Sequence, residues 1–271
     1  MKKYLILLLC IANALVASAQ HDPLQYTIEK DVCYRADDDY SSQMCLMDIA
    51  YREGESNLPV VVYFHGGSLK GGKRSIPSRM RRDGAVIVGV DYRLRPHVNV
   101  TEIVDDAACA TAWVMDNIKK WGGNPKTIFL CGHSAGGYLV TMVGLDKSRL
   151  AKYGKNTDHL AGIVSFSGQA ITHFQERHSR GMSSNQPLID SLAPLYHVRP
   201  DAPPMLLMTG DRELETRGRY EENAYLWRML RVVGHQDVTL YEFDGYGHNM
   251  QEPGYPMLLK FIKEHLNKQT K

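Results

Sequence analysis

Short runs of apolar residues alternate with amphipathic segments along most of the chain. The runs are VVVYF (60–64), AVIVGVDY (85–92), TIFLCG (127–132), GIVSFSG (162–168), MLLMTG (205–210) and VTLYEF (238–243). Most are apolar on consecutive residues, as strands covered on both faces must be. The intervening segments have helical spacing. TEIVDDAACATAWVMDNIKKW (101–121) places Ile103, Val104, Ala107, Ala108, Thr111, Val114, Met115 and Ile118 three and four residues apart, and Gly122 and Gly123 stop it. Other helices are predicted after Ser134, over 219–233 ahead of Gly234, and over 257–267. Ahead of all these lie two strand-like runs, YTIEKDVCYR and SQMCLMDIAYR, around the polar turn ADDDYSS. The pattern predicts a three-layer α/β/α sandwich with a mostly parallel central sheet and an N-terminal antiparallel hairpin. Residues 169–202 are too long for a simple crossover; they read as a small lid or binding insertion, or as an ordinary helix on long flanks.

The length of 271 residues and an apolar fraction of 44% suit one large domain over residues 20–271. MKKYLILLLCIANALVASAQ has the form of a secretory signal: Lys2 and Lys3, an apolar run, and Ala17-Ser18-Ala19 as the cleavage site. The expectation is a signal over 1–19 and a secreted or periplasmic product. No integral membrane segment is expected after cleavage, since the run is short of the roughly 20 residues that span a bilayer. Removing Lys2 and Lys3 lowers the basic count from 32 to 30, equal to the 30 acids. With no charge run either, nothing favours nucleic acid as a partner. Cys33 and Cys45 face each other across the expected hairpin, which leaves a disulfide or two free thiols. His173 and His178 share a segment without further ligands at metal spacing, so no metal is expected.

Two motifs carry chemistry. VVVYFHGGSLKGGKRS (60–75) approaches the phosphate-binding pattern G-x-x-x-x-G-K-[ST] but has Arg74 at its last position; alternatively Gly66 and Gly67 offer N–H groups to an oxyanion in acyl transfer. TIFLCGHSAGGYLV sets Ser134 in a G-x-S-x-G turn between a strand and a helix, with Gly132, Gly136 and Gly137 supplying the small residues such a turn needs. A serine nucleophile requires a general base, and His248, after the last strand and the loop DGYGH, is the candidate. His235 is a poorer choice. His65 and His133, inside the motifs, suit positioning. The acid that orients the base should follow MLLMTG, where Asp211 and Glu213 compete.

The ordered set H-G-G, G-H-S-A-G-G, an acid after T-G, and G-H resembles the α/β-hydrolase superfamily. It is most similar to the esterase/lipase (carboxylesterase) branch with an H-G-G oxyanion loop, related to acetyl and feruloyl carbohydrate esterases. The resemblance extends over nearly the whole mature chain, including DYRL at 91–94 and WGGNP at 121–125. It implies the α/β-hydrolase fold and a Ser-His-acid mechanism through an acyl-enzyme, without a cofactor. It implies oxyanion donation from Gly66, Gly67 and Ala135, and an acid at the G-x-x-D position, which is Glu213 here, with Asp211 as the alternative. Where the family often has a third glycine, this chain has Ser68. The implied substrate is an ester, small or linked to a polysaccharide. Arylformamidase and peptidase activities share the same elbow, and a non-catalytic binding protein on the same scaffold is the remaining alternative.

Overall fold

A computed structural model describes residues 25–269; the expected signal at 1–19 lies outside them. Eight strands form one sheet: β1 (Thr27–Cys33), β2 (Leu46–Tyr51), β3 (Leu58–Phe64), β4 (Val86–Val90), β5 (Gly123–His133), β6 (Gly162–Phe166), β7 (Met205–Gly210) and β8 (Val238–Phe243). Their order is β1-β2-β4-β3-β5-β6-β7-β8. Strand β2 runs antiparallel to both of its neighbours, β1 and β4, and the other strand pairs are parallel. Successive residues of a strand point to opposite faces, and the apolar runs are buried both ways. Val60, Val62, Phe64, Ile128 and Leu130 pack in one core. Val61, Tyr63, Phe129 and Cys131 pack in the other.

The helices are α1 (Asp39–Met44), α2 (Val100–Asn117), α3 (Ala135–Leu145), α4 (Lys147–Ala151), α5 (Phe174–Ser179), α6 (Arg219–Val232) and α7 (Gln251–Gln269). Helix α2 starts at a capping box, in which Asn99 accepts from the Glu102 N–H and Glu102 accepts from the Asn99 N–H. A short 3-10 turn and left-handed Gly122 follow it. Helix α7 begins six residues before the predicted start despite Pro253 and Pro256. Pro253 falls in the first turn, where backbone N–H groups have no intrahelical acceptor, and Pro256 removes a single bond.

Of the two outcomes open for the hairpin, a disulfide or two free thiols, the structure has the second: Cys33 and Cys45 are both free. Cys33 pairs with Leu46, while the Tyr34 N–H donates to the Cys45 carbonyl. Cys45 therefore opposes Tyr34 rather than Cys33, and the alternation of the strand sends the two sulfurs to opposite sides. Helix α1, formed where a plain turn was expected, sets this register. Residues 169–202 form α5 and several turns that pack onto the domain. Thr172 Oγ1 donates to Asp190 (2.7 Å), and Tyr138 of α3 donates to the Leu192 carbonyl (2.8 Å).

Candidate active site

The site lies where β5 turns into α3. Ser134 holds φ 55° and ψ −113°, a conformation that L-residues avoid. Close packing of glycines sustains it. A Cβ on Gly136 would stand 2.0 Å from the Phe64 carbonyl oxygen, and one on Gly132 would stand 2.3 Å from the Gly136 backbone. The G-x-S-x-G pattern is thus a packing requirement between β3, β5 and α3.

His248 lies in the loop after β8, and its Nε2 is 2.9 Å from Ser134 Oγ. Its Nδ1 is 2.7 Å from Glu215 Oε1. The acid that reaches the imidazole is therefore neither Glu213 nor Asp211. After β7 the chain makes an extra tight turn in which the Asp211 carbonyl accepts from the N–H groups of Leu214 and Glu215. The Asp211 side chain is occupied with the N–H groups of Glu213 and Gly245. That turn leaves Glu213 exposed and directs Glu215 inward, its side chain 1% exposed. Asp211 is a strong former of such side-chain-capped turns, a signal in the sequence that could have moved the acid two residues on.

The Glu215 carboxylate also accepts from Ser167 Oγ, the Gly210 N–H and the Thr216 N–H. Burial opposes its ionisation, but the hydrogen bonds from His248 and Ser167 prevail and bring it down to about 2. His133 Nε2 donates to the His248 carbonyl (2.9 Å), which fixes the loop carrying the base. Burial pushes the His133 imidazole down to about 4, so it is neutral.

Gly66 faces the nucleophile: a Cβ built on it would lie 3.4 Å from Ser134 Cβ. Gly67 turns the loop sharply at φ 117°, and its carbonyl accepts from Lys70 and Gly71. Ser68 occupies a left-handed conformation at φ 58°, the backbone a third glycine would favour. Ala135 is the first residue of α3, where N–H groups have no intrahelical acceptor. His65 is held in place by Asp91, 3.2 Å from its Nε2, and Tyr92 donates to its carbonyl (2.8 Å). Arg74, which stands where the phosphate-binding pattern would have Ser or Thr, is committed to carboxylates: Nη1 to Asp91 at 2.6 Å, Nε to Asp48 at 2.8 Å, and Nη2 to Asp31. Against the opposing effect of burial, His65 and Arg74 hold the Asp91 carboxyl below the usual carboxylate range. His235 sits away from this assembly, its Nδ1 3.3 Å from the Pro200 carbonyl.

Among the described residues no cluster of His, Cys, Asp and Glu could hold a metal ion, and no helix is long and apolar enough to cross a membrane. The sequence pattern of the BD-FAE family matches residues 47–216. Esterase LipC of Mycobacterium tuberculosis is 28% identical over 213 residues, which are 70% of this chain and 52% of LipC. Carboxylesterase NlhH of the same species is 45% identical over 92 residues, 32% of this chain and 29% of NlhH. The chain thus spans about half, or less, of the length of these relatives. Among solved structures, esterase 2 of Thermogutta terrifontis, phosphonylated by sarin, superposes with a TM-score of 0.71 at 20% identity over 90% of this chain and 97% of that one. A Pyrobaculum calidifontis esterase superposes with a TM-score of 0.69 at 20% identity over 92% and 88%. The shared architecture is the α/β-hydrolase fold.

Proposed function

We propose, for a chain that belongs to the BD-FAE family, that it is a serine hydrolase of carboxylic esters. The observation that carries this reading is the unbroken relay from Ser134 Oγ to His248 Nε2 at 2.9 Å and from His248 Nδ1 to Glu215 at 2.7 Å. In the proposed reaction Ser134 attacks the acyl carbonyl while His248 takes its proton. Glu215, ionised, holds the Nδ1–H tautomer and stabilises the imidazolium. The N–H groups of Gly66, Gly67 and Ala135 receive the charge that develops on the carbonyl oxygen; one such donor contributes about 3–4 kcal/mol. The imidazolium then returns its proton to the departing alcohol. Water, deprotonated by the same base, releases the acid and restores Ser134.

The proposal extends to a secreted enzyme, through the leader at 1–19, that removes acetyl or feruloyl groups from polysaccharides. The leader's composition and the resemblance to carbohydrate esterases support these two points. Hydrolysis of 4-nitrophenyl acetate and butyrate, measured beside an aminoacyl anilide and formylkynurenine, tests the reaction class. Ester turnover that disappears in Ser134→Ala is expected. Turnover of the anilide or the formamide alone would replace the reading with peptidase or arylformamidase activity, and ester turnover surviving in Ser134→Ala would remove the nucleophile.

A further inference from the structure

Four arginines gather beside the acid side of this site without ion-pair partners among the described residues: Arg95, Arg177, Arg217 and Arg219. Arg177 and Arg219 are buried, 2% and 3% exposed. Each donates one bond to a carbonyl, Arg177 to Gln186 and Arg219 to Ser167. Their Nε atoms are buried without any partner, as are Arg95 Nε and the Gln169 amide nitrogen. A buried cation with unused donors is costly unless something completes it. Arg177 and Arg217 line a cavity of about 270 Å³, walled by Ile171, Ser184, Asn185 and Pro187 on one side and by Gly218, Glu221 and Glu222 on the other. Arg217, exposed, lies over the Phe174 ring at 4.5 Å.

Two carboxylates, Glu221 and Glu222, line the same cavity, but neither stands within ion-pair distance of these arginines among the described residues. Glu222 accepts from the Ala170 N–H (3.0 Å), and burial raises its carboxyl even against the attraction of Arg219 and Arg177. Glu215 is bound to His248. His173, enclosed beside the cluster, is held well below the ordinary histidine value by burial and then by the charge of all four arginines. The cluster borders the catalytic groups on two sides. Arg219 is joined through Ser167 to Glu215, and the Arg95 N–H donates to the Leu69 carbonyl (2.8 Å) in the H-G-G loop.

We infer that this basin binds a carboxylate carried by the substrate, so that the enzyme selects esters bearing a negative charge on their acyl or alcohol part. The inference rests on the esterase reading above and names its substrate class. Guanidinium groups bind carboxylates through paired N–H donors, and Arg177 and Arg217, which line the cavity, present two such groups to it. A carboxylate placed there would supply the missing counter-charge. The insertion at 169–202 then acts as the wall of a specificity pocket.

The test compares charged esters with their neutral counterparts. For the acyl side these are 4-nitrophenyl glutarate and 4-nitrophenyl methyl glutarate; for the alcohol side, 4-acetoxybenzoate and its methyl ester. One charged member should be favoured about tenfold in kcat/KM, equivalent to about 1.4 kcal/mol. Arg217→Gln, at an exposed position, and Arg177→Gln should each erase most of that preference through KM, with the neutral esters within about twofold of wild type. Equal turnover of both members in both pairs, or a preference intact in Arg217→Gln, would overturn the inference while leaving the esterase reading in place. Should no ester be cleaved, the esterase reading fails separately. The basin is then judged by the Tm of Ser134→Ala with free glutarate: a rise that Arg217→Gln abolishes supports it, and no rise, or an equal rise with inorganic phosphate, refutes the carboxylate assignment.

Discussion

Arginines flank the candidate site on two sides, and they are treated in opposite ways. On the H-G-G side, Arg74 meets three carboxylates and braces Asp91, which in turn holds His65. On the insertion side, Arg177 and Arg219 are buried with unpartnered Nε atoms and no carboxylate within ion-pair distance among the described residues. Removing one partner of a paired, buried cation strands the charges it held, while removing an unpaired one strands none. Arg74 reads as scaffold for the oxyanion loop, the arginines of the insertion side as a receptor.

The largest expected effect belongs to Glu215, which is bound to His248 and joined through Ser167 to Arg219. Glu215→Gln keeps the shape but removes the negative partner of His248, and kcat should fall by about 10³ to 10⁴. Glu213→Gln should stay within about twofold of wild type. Steady-state kinetics on a neutral ester measure both, and a large loss in Glu213→Gln alone would undo the assignment.

Removing the arginines themselves should separate scaffold from receptor. Arg74→Met strands Asp48 and Asp91, and is expected to cost about 2–4 kcal/mol of stability, with kcat reduced as the oxyanion loop loosens. Arg177→Met removes an incompletely satisfied buried charge and should cost less than about 1 kcal/mol, or stabilise the unliganded protein. Urea unfolding of the two variants decides it. Equal losses would mean that Arg177 is scaffold too.

A smaller effect belongs to pH. The Glu215 carboxyl titrates near 2 in the fold against an ordinary 4.5, so its contribution is complete above about pH 4.5 and is lost as pH falls towards 2. His133 titrates near 4 against an ordinary 6.5. The unfolded chain therefore takes up that proton first, and stability falls as pH drops from 6.5 towards 4. Tm followed from pH 7 to pH 3 should decline in both stages, and Glu215→Gln should lose less than wild type in the second, which it shares with Asp91 and other carboxylates held below the usual range. A variant that loses as much as wild type below pH 4.5 would locate the acid limb on the other carboxylates.

Local pattern was enough for much of this. The apolar runs at 60–64, 205–210 and 238–243 are strands, and the three glycines around Ser134 mark a strand-to-helix turn because no larger residue fits there. Counting failed where a turn intervened. Counting three residues from Gly210 leads to Glu213, but the capped turn at Asp211 advances the chain to Glu215. The same failure misplaced Cys45, because α1 was invisible in a polar stretch read as a plain turn.

The amino-acid sequence by itself determined the layered sheet, the elbow at Ser134 and the loop that carries His248, since each depends on the periodicity or the size of neighbouring residues. Only the tertiary structure decided which carboxylate reaches His248, that Cys33 and Cys45 do not face each other, and which arginines are paired. Those outcomes depend on side chains far apart in the chain, Arg74 with Asp31 and Asp48, Arg219 with Ser167, Glu215 with His248, and no local pattern encodes the distance between them.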